Sequence, residues 1–365
     1  MSEEIQPTAV DCQSFAGGFA YGVVKSGFRL LAKREQAGAF GTAVMEGNRQ
    51  VLGNDWQAQD GPMSSWTPVG ADLVFGNPPC SGFSQLTTTS RDQEWLDEQK
   101  SCMYDFANYA AKCSPLIAIF ESVQAAYHDG RELMLHLRDL LEQGTGEQYT
   151  LYHVLHDVAD LGGSQNRPRY FWVASRIPFG VTLTKRQPKT LRQTISDLET
   201  LPLGAVEGHK PLPAPRGVRL ANLAALNDWA EGERANVVGS RHPEVELDAN
   251  DKRVKGSYTA LRLKYDSVCK VIVGDAPERF VHPTQPRLLT LREVARITGF
   301  GDDWKIEPYT SPQSRSRWFG KGITVQAGTW ISTMAREAII GQARPHQGRL
   351  IGDREYLIDN TNDGE

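Results

Sequence analysis

Cysteine is scarce in this chain and follows no pattern. The five residues Cys12, Cys80, Cys102, Cys113 and Cys269 form no C-x-x-C pair and no metal-ligand spacing, which argues against a disulfide framework and against any metal site. A cysteine with a special role must therefore work as a thiol. Long apolar runs are missing as well: nothing approaches the ~18 residues of a membrane-spanning helix, and the opening MSEEIQPTAV lacks the basic and apolar stretches of a secretory signal. The expectation is a cytoplasmic protein with no membrane partner. Repeats and low-complexity tracts are absent, and so is an excess of positive charge, since the net charge is −4. A protein coated in basic residues is thereby excluded, but the balance is uneven along the chain. Residues 177–285 carry 16 Lys and Arg against 13 Asp and Glu, whereas the remainder carries 24 against 31. A locally basic module on an acidic body suits a nucleic acid held on one face.

The 365 residues, 40% of them hydrophobic, suffice for one large domain with a smaller one attached. TAVDCQSFAGGFAYGVVKSGFRLLAKRE reads as a strand, a glycine turn, an amphipathic helix and a second strand ending in Glu35, the opening of a βαβ unit. Further strands are expected at 71–76, 115–121, 149–155 and 169–175, with helices over WLDEQKSCMYDFANYAAKC and after Gly130. A mostly parallel sheet with helices on both faces follows. From 177 to 285 the texture turns to Pro, Gly and charge, which marks a separate module. Helical periodicity returns in LTLREVARITGF and VQAGTWISTMAREAII, and the polar stretch from Arg344 is expected to be loosely held.

The segment DLVFGNPPCSGFS places a cysteine directly after a strand and two prolines. The prolines restrict the backbone, so Cys80 is presented rigidly at the carboxyl edge of the sheet, where such folds bind ligands. Taken alone, the segment has a plainer alternative, a Pro-stiffened turn with a buried cysteine.

With Phe83 and Ser84 following, the segment resembles the Pro-Cys turn of the DNA cytosine C5 methyltransferase family. Four more blocks appear in that family's order: FESV at 120–123, SQNRPRYF at 164–171, RLLTLREVARITGF at 287–300 and GKGITV at 320–325. The resemblance implies a Rossmann-like S-adenosyl-methionine-dependent α/β sheet in residues 1–176, completed by 286–343, with a small target-recognition domain inserted at 177–285 and a tail at 344–365. DNA is then expected in the cleft between the domains. The implied chemistry is electrophilic substitution on an electron-poor ring. Cys80 adds at C6 of a flipped-out cytosine, Glu121 engages N3, and Arg169 with Arg167 holds the base carbonyl and the cysteine loop. Each partner has a plain structural alternative: Glu121 as a helix cap, the arginines as surface ion-pair residues.

Aligned on the family's Asp-Leu-Phe-x-Gly-x-Gly-Gly turn, the residues here run from Asp11 to Gly18. Gly17 and Gly18 remain, but Gln13 stands where a Phe packs on the cofactor and Phe15 replaces the first Gly. The pocket floor must be shaped differently. Glu35 keeps the family's spacing for the ribose hydroxyls. Asp55 and Trp56 are candidates for the adenine, with a surface loop as the alternative, and Pro79 is counted among the cofactor contacts. Ser81 and Ser122 are smaller departures beside the catalytic turn.

Lys321 takes the place of an Asn near the methionine end of the cofactor. Two positive charges about 5 Å apart repel by roughly 3 kcal/mol at an effective dielectric of about 20, a factor of about 100. A carboxylate between them would remove that repulsion. Carboxy-S-adenosyl-methionine and a 5-carboxymethylcytosine product are thus an alternative to S-adenosyl-methionine and 5-methylcytosine. The competing explanation has Lys321 turned to solvent or to a DNA phosphate.

The expectation is a monomeric enzyme acting on double-stranded DNA in a bacterial or phage-infected cell, with RNA as a minor alternative substrate. Two rivals remain. Asn77-Pro78-Pro79 resembles the Asn-Pro-Pro-aromatic motif of amino-methyltransferases, although Cys80 replaces the aromatic. A catalytically silent DNA-binding relative would explain Gln13, Phe15 and Lys321, although it has no need of Cys80, Glu121, Arg167 and Arg169 together.

Overall fold

The computed structural model describes residues 6–35, 40–79, 83, 93–182, 185–212, 231, 234–236, 259–272, 280–306, 318–345 and 347–361. The chain forms two compact units. The first comprises Met1–Gly162, Arg167–Gln187 and Gly322–Glu365, the second Gly163–Asn166 and Pro188–Lys321.

The first unit is an α/β, Rossmann-like fold. Its strands begin with β1 (Thr8–Cys12), β2 (Arg29–Glu35), β3 (Gln57–Asp60), β4 (Leu73–Gly76), β5 (Ile117–Ser122) and β6 (Thr150–Asp157). The short β7 (Gln165–Asn166) belongs to the second unit, and β8 (Pro168–Ser175) returns to the first. β9 (Arg234–Asn236), β10 (Thr259–Arg262), β11 (Cys269–Lys270) and β12 (Phe280–Val281) lie in the second unit, and β13 (Arg349–Gly352) with β14 (Glu355–Asp359) closes the list. The large sheet has nine strands in the order β13-β14-β6-β8-β5-β4-β1-β2-β3. Pairing is parallel from β5 through β4, β1 and β2 to β3, and antiparallel where β8 enters between β5 and β6.

The central strands are apolar almost without interruption because both faces are covered: all six residues of β5 and all four of β4 are buried. One helix pair approaches unusually closely. A Cβ on Gly22, in the helix Gly18–Lys25, would lie 2.5 Å from the backbone nitrogen of Thr329 in the helix Val325–Ile339. Glycine at 22 is therefore what lets the C-terminal helix rest against the first turn of the fold. From β1 the chain moves to β2 on one side and, later, to β4 on the other, so the carboxyl ends of β1 and β4 flank a topological switch point.

Two expectations need correction. The stretch from 344 is not a loose tail: β14 pairs in parallel with β6, from Glu355 opposite Leu151 to Asp359 opposite Leu155, and β13 pairs with β14. Its anchor is a buried carboxylate. Glu355 accepts from Arg131 at 2.6 and 2.9 Å and lies 2.8 Å from His153 Nε2. The second correction concerns 286–321, expected to complete the first domain. The helix Leu291–Ile297 instead packs in the second unit. Its buried Arg292 donates to the carbonyls of Glu207, Gly301 and Trp304, and Arg296 pairs with Asp197 and Asp302. Those partners all lie in the second unit, so the helix follows them. The first unit resumes at Gly322.

Candidate active site

At the switch point Asn77 starts the Pro-Pro turn with its amide nitrogen still donating to Cys12 O at 3.2 Å. Its side-chain amide donates to Glu121 Oε2 at 2.6 Å and to the Glu121 carbonyl at 3.2 Å. From β8, Arg169 Nε reaches Glu121 Oε1 at 3.0 Å. Strand register accounts for the meeting. Glu121 lies opposite Phe171 in the β5–β8 pair, and Arg169 is two residues from Phe171, on the same face. Each oxygen of a 3% exposed carboxylate is thus engaged by a different strand end. Burial pushes the Glu121 carboxyl above its ordinary range, outweighing Arg169, Arg167 and Asn77, which pull it down. A carboxyl in that setting accepts a proton more readily than a free one, which suits it to donate to a ring nitrogen.

Arg167 is buried and plays a different part. Its backbone nitrogen donates to Asp157 Oδ1 at 2.8 Å and its Nη2 to the Gly322 carbonyl at 3.0 Å. It thereby pins the backbone that leads into the helix Val325–Ile339. Beside it, His156 on β6 sits opposite Arg169 in register. The imidazole stacks on Phe171 at 4.7 Å with an interplanar angle of 8°, and neither ring nitrogen has a hydrogen-bond partner among the described residues. Burial, reinforced by Arg169 and Arg167, pushes His156 down to about 3, so it is neutral at physiological pH.

The turn after β1 lies on the other side of the switch point. Gln13 and Phe15 have φ of 64° and 52°, the left-handed region that ordinarily favours glycine. The family's turn is thus made with side chains in place of Phe and Gly, at a cost of about 1–2 kcal/mol for each such residue. Gly17 N donates to Ser14 O at 2.9 Å, and Gly17 O accepts from Tyr21 N to start the helix Gly18–Lys25. Glu35, last in β2, comes to the same carboxyl edge.

Gln13, Phe15, Gly17, Gly18 and Glu35 are therefore brought together, but Asp55 and Trp56 are not. β3 pairs in parallel with β2, Asp60 opposite Glu35, which sets Asp55 five residues back, roughly 16 Å along the strand. Asp55 is exposed, and the buried Trp56 ring lies under the Arg49 guanidinium at 4.0 Å. Asp60 is the carboxylate at the edge, and sequence spacing passed over it. Asn77 was also missed as a partner of Glu121; the Asn-Pro-Pro run was its signal. Pro79 is partly buried beside the site, while Cys80, Ser81 and Ser84 lie outside the described residues. Lys321 is exposed and ends the second unit. Among the described residues no three His, Cys, Asp or Glu side chains cluster as a metal site, and no helix is long and apolar enough to cross a membrane.

The sequence profile of the family described as C-5 cytosine-specific DNA methylase matches residues 8–335. The chain belongs to that family. Among its relatives, the type II methyltransferase M.DdeI of Desulfomicrobium norvegicum is 24% identical over 92% of this chain and 85% of its own length. The type II methyltransferase M.NgoPII of Neisseria gonorrhoeae is 23% identical over 89% of this chain and 94% of its own. The fold is shared with the Dnmt2 methyltransferase of S. pombe, with a TM-score of 0.57 and 13% identity, over 92% of this chain and 99% of that one. As a C-5 cytosine methylase, the chain is a DNA cytosine-5 methyltransferase by family. The profile stops at 335, so the β13–β14 hairpin lies beyond it.

Proposed function

We propose that the protein methylates C5 of a cytosine flipped out of double-stranded DNA, through a covalent adduct on Cys80. The supporting observation is the Glu121 carboxyl, fixed by Arg169 and by Asn77, which stands three residues before Cys80 in the chain. The Cys80 thiolate adds to C6 while Glu121, whose carboxyl burial shifts toward the protonated form, hydrogen-bonds N3 and draws electron density from the ring. Electron density moves to C5, which becomes the nucleophile. After transfer, loss of the C5 proton to a base and departure of the Cys80 thiolate restore the aromatic ring.

The family implies S-adenosyl-methionine, and the residues fit it. The Gly17–Gly18 backbone and the Glu35 carboxylate converge at the switch point, where glycine permits close approach and a carboxylate can accept from ribose hydroxyls. When bound, that cofactor supplies an electrophilic methyl group. Residues 177–285 carry sequence choice in this reading; within them Lys252 and Arg253 are adjacent basic residues that lie outside the described residues.

Carboxymethyl transfer remains the second reading. The exposure of Lys321 favours the solvent or phosphate role for that ammonium, and so favours the methyl product. Competition between S-adenosyl-methionine and its carboxy derivative at equal concentrations, read by nucleoside mass spectrometry, distinguishes the two. The expected product is 5-methylcytosine, and 5-carboxymethylcytosine as the main product would overturn the assignment. Covalent trapping on a 5-fluorocytosine duplex tests the mechanism: the natural chain should form the adduct and Cys80→Ser should not. Glu121→Gln should lower the chemical step by about 100-fold or more with little change in cofactor affinity. An adduct with Cys80→Ser, or a loss confined to cofactor affinity with Glu121→Gln, would refute these roles.

A further inference from the structure

Strands β1 and β2 carry a buried charge set that the chemistry above does not use. Lys33 is fully buried, with Nζ 2.8 Å from Glu35 Oε2 and 3.4 Å from Asp11 Oδ2. Asp11 is its register partner across β1 and β2, and accepts from Ser14 Oγ. Asp60, opposite Glu35, accepts from Thr42 Oγ1 at 2.5 Å. One ammonium therefore serves two buried carboxylates, with a third beside them. An apolar side chain would pack a strand interior without the cost of burying a charge, so packing alone does not explain Lys33.

Its effect falls on the placement of Glu35. A Cβ on Gly41 would lie 2.4 Å from Glu35 Oε2 and 2.9 Å from the Phe15 carbonyl oxygen. The same oxygen that meets Lys33 is thus wedged against Gly41, beside the left-handed Phe15, and only 10% of the Glu35 side chain is exposed.

We propose that Lys33 is a positioning residue, which holds one oxygen of an ionised Glu35 so that the other is presented to the ribose diol of an adenosyl cofactor. This rests on the assignment of Glu35 to the ribose. Without the ammonium, Glu35 would face Asp11 and Asp60 with no counter-charge among the described residues. Burial already raises the Glu35 carboxyl and Lys33 is the main influence lowering it, so its loss raises that carboxyl further. Cys12, the remaining titratable neighbour of Lys33, is held as a neutral thiol by burial. A protonated Glu35 accepts more weakly from hydroxyls, and binding should recover as pH rises.

Calorimetric titration of the full chain with S-adenosyl-homocysteine between pH 6 and 9 tests this. The unaltered protein should bind with little pH dependence. Lys33→Met should bind about 10-fold more weakly at pH 6, as expected for a lost charge-assisted hydrogen bond, and regain part of that loss by pH 9, where Glu35 is ionised but no longer held. Lys33→Gln should follow the same trend and serves if the Met variant melts below the assay temperature. Glu35→Gln should be weak at every pH. If Glu35→Gln binds as the unaltered protein does, the ribose assignment fails and the positioning role falls with it. If Glu35→Gln is weak but both Lys33 variants bind normally, or lose affinity equally at every pH, the positioning role alone is overturned.

Discussion

Replacing His156 with Phe isolates the free-energy effect of a buried neutral imidazole in the active-site wall. The ring is fully buried, stacked on Phe171 and without hydrogen-bond partners among the described residues, so the swap removes no such bond. In the unfolded chain the imidazole takes a proton below its ordinary 6.5, whereas in the folded chain it stays neutral to about 3. A folded value below the unfolded one means that stability falls as pH drops through 6.5. At 1.36 kcal/mol per unit, the decline between pH 7 and pH 5 is about 2 kcal/mol. Carboxyls and the other histidines titrate alike in both proteins and cancel in the comparison. Relative to the unaltered chain, His156→Phe should therefore gain about 2 kcal/mol on going from pH 7 to pH 5, or about 4–8 °C in Tm for a unit of this size. Melting curves of both proteins at the two pH values provide the measurement. A Tm difference that does not move with pH would refute a buried neutral His156.

Glu355→Ala should cost about 3 kcal/mol in urea unfolding, because it strands buried His153 and detaches Arg131 from a hairpin outside the family core; a loss under 1 kcal/mol would mean that backbone pairing alone holds β14. Gly22→Ala should destabilise by about 1–2 kcal/mol, the overpacking against Thr329 exceeding the gain in helix propensity, and unchanged or raised stability would contradict the close helix contact. At position 15, Gly should be tolerated to within about 1 kcal/mol, whereas Val should cost more than 1 kcal/mol because branching at Cβ is incompatible with positive φ. Equal stability of the two variants would exclude the left-handed turn.

What could be read from the sequence follows the physics of burial. β1, β4, β5, β6 and β8 announce themselves because a strand covered on both faces is mostly apolar, and Glu121 stands out as a charge closing such a run. β14 does not, since EYLID carries its buried carboxylate at the first position and looks like a polar tail until Arg131 and His153 are seen to meet it. Chain spacing points to Asp55 and says nothing of Asp60, because it does not reveal strand register. The helix Leu291–Ile297 shows a clear apolar stripe, but periodicity does not say which unit that stripe covers. Lys33 escaped notice because a lysine near a strand end is ordinarily solvated, and only register brings it between Asp11 and Glu35.

The parallel pairing of β14 with β6 also constrains how the molecule is made. His153 and Glu355 meet although they are 202 residues apart in the chain. During synthesis the strand bearing His156 therefore emerges long before the segment that covers its outer edge. An uncovered edge is a template for pairing with other chains, and contacts of such long range form slowly. A nascent chain must carry an exposed β6 edge through the synthesis of the whole second unit. Holding factors acting on the ribosome-bound chain, or slower growth temperature, should thus raise the soluble yield of this enzyme more than they would for a relative whose sheet closes early.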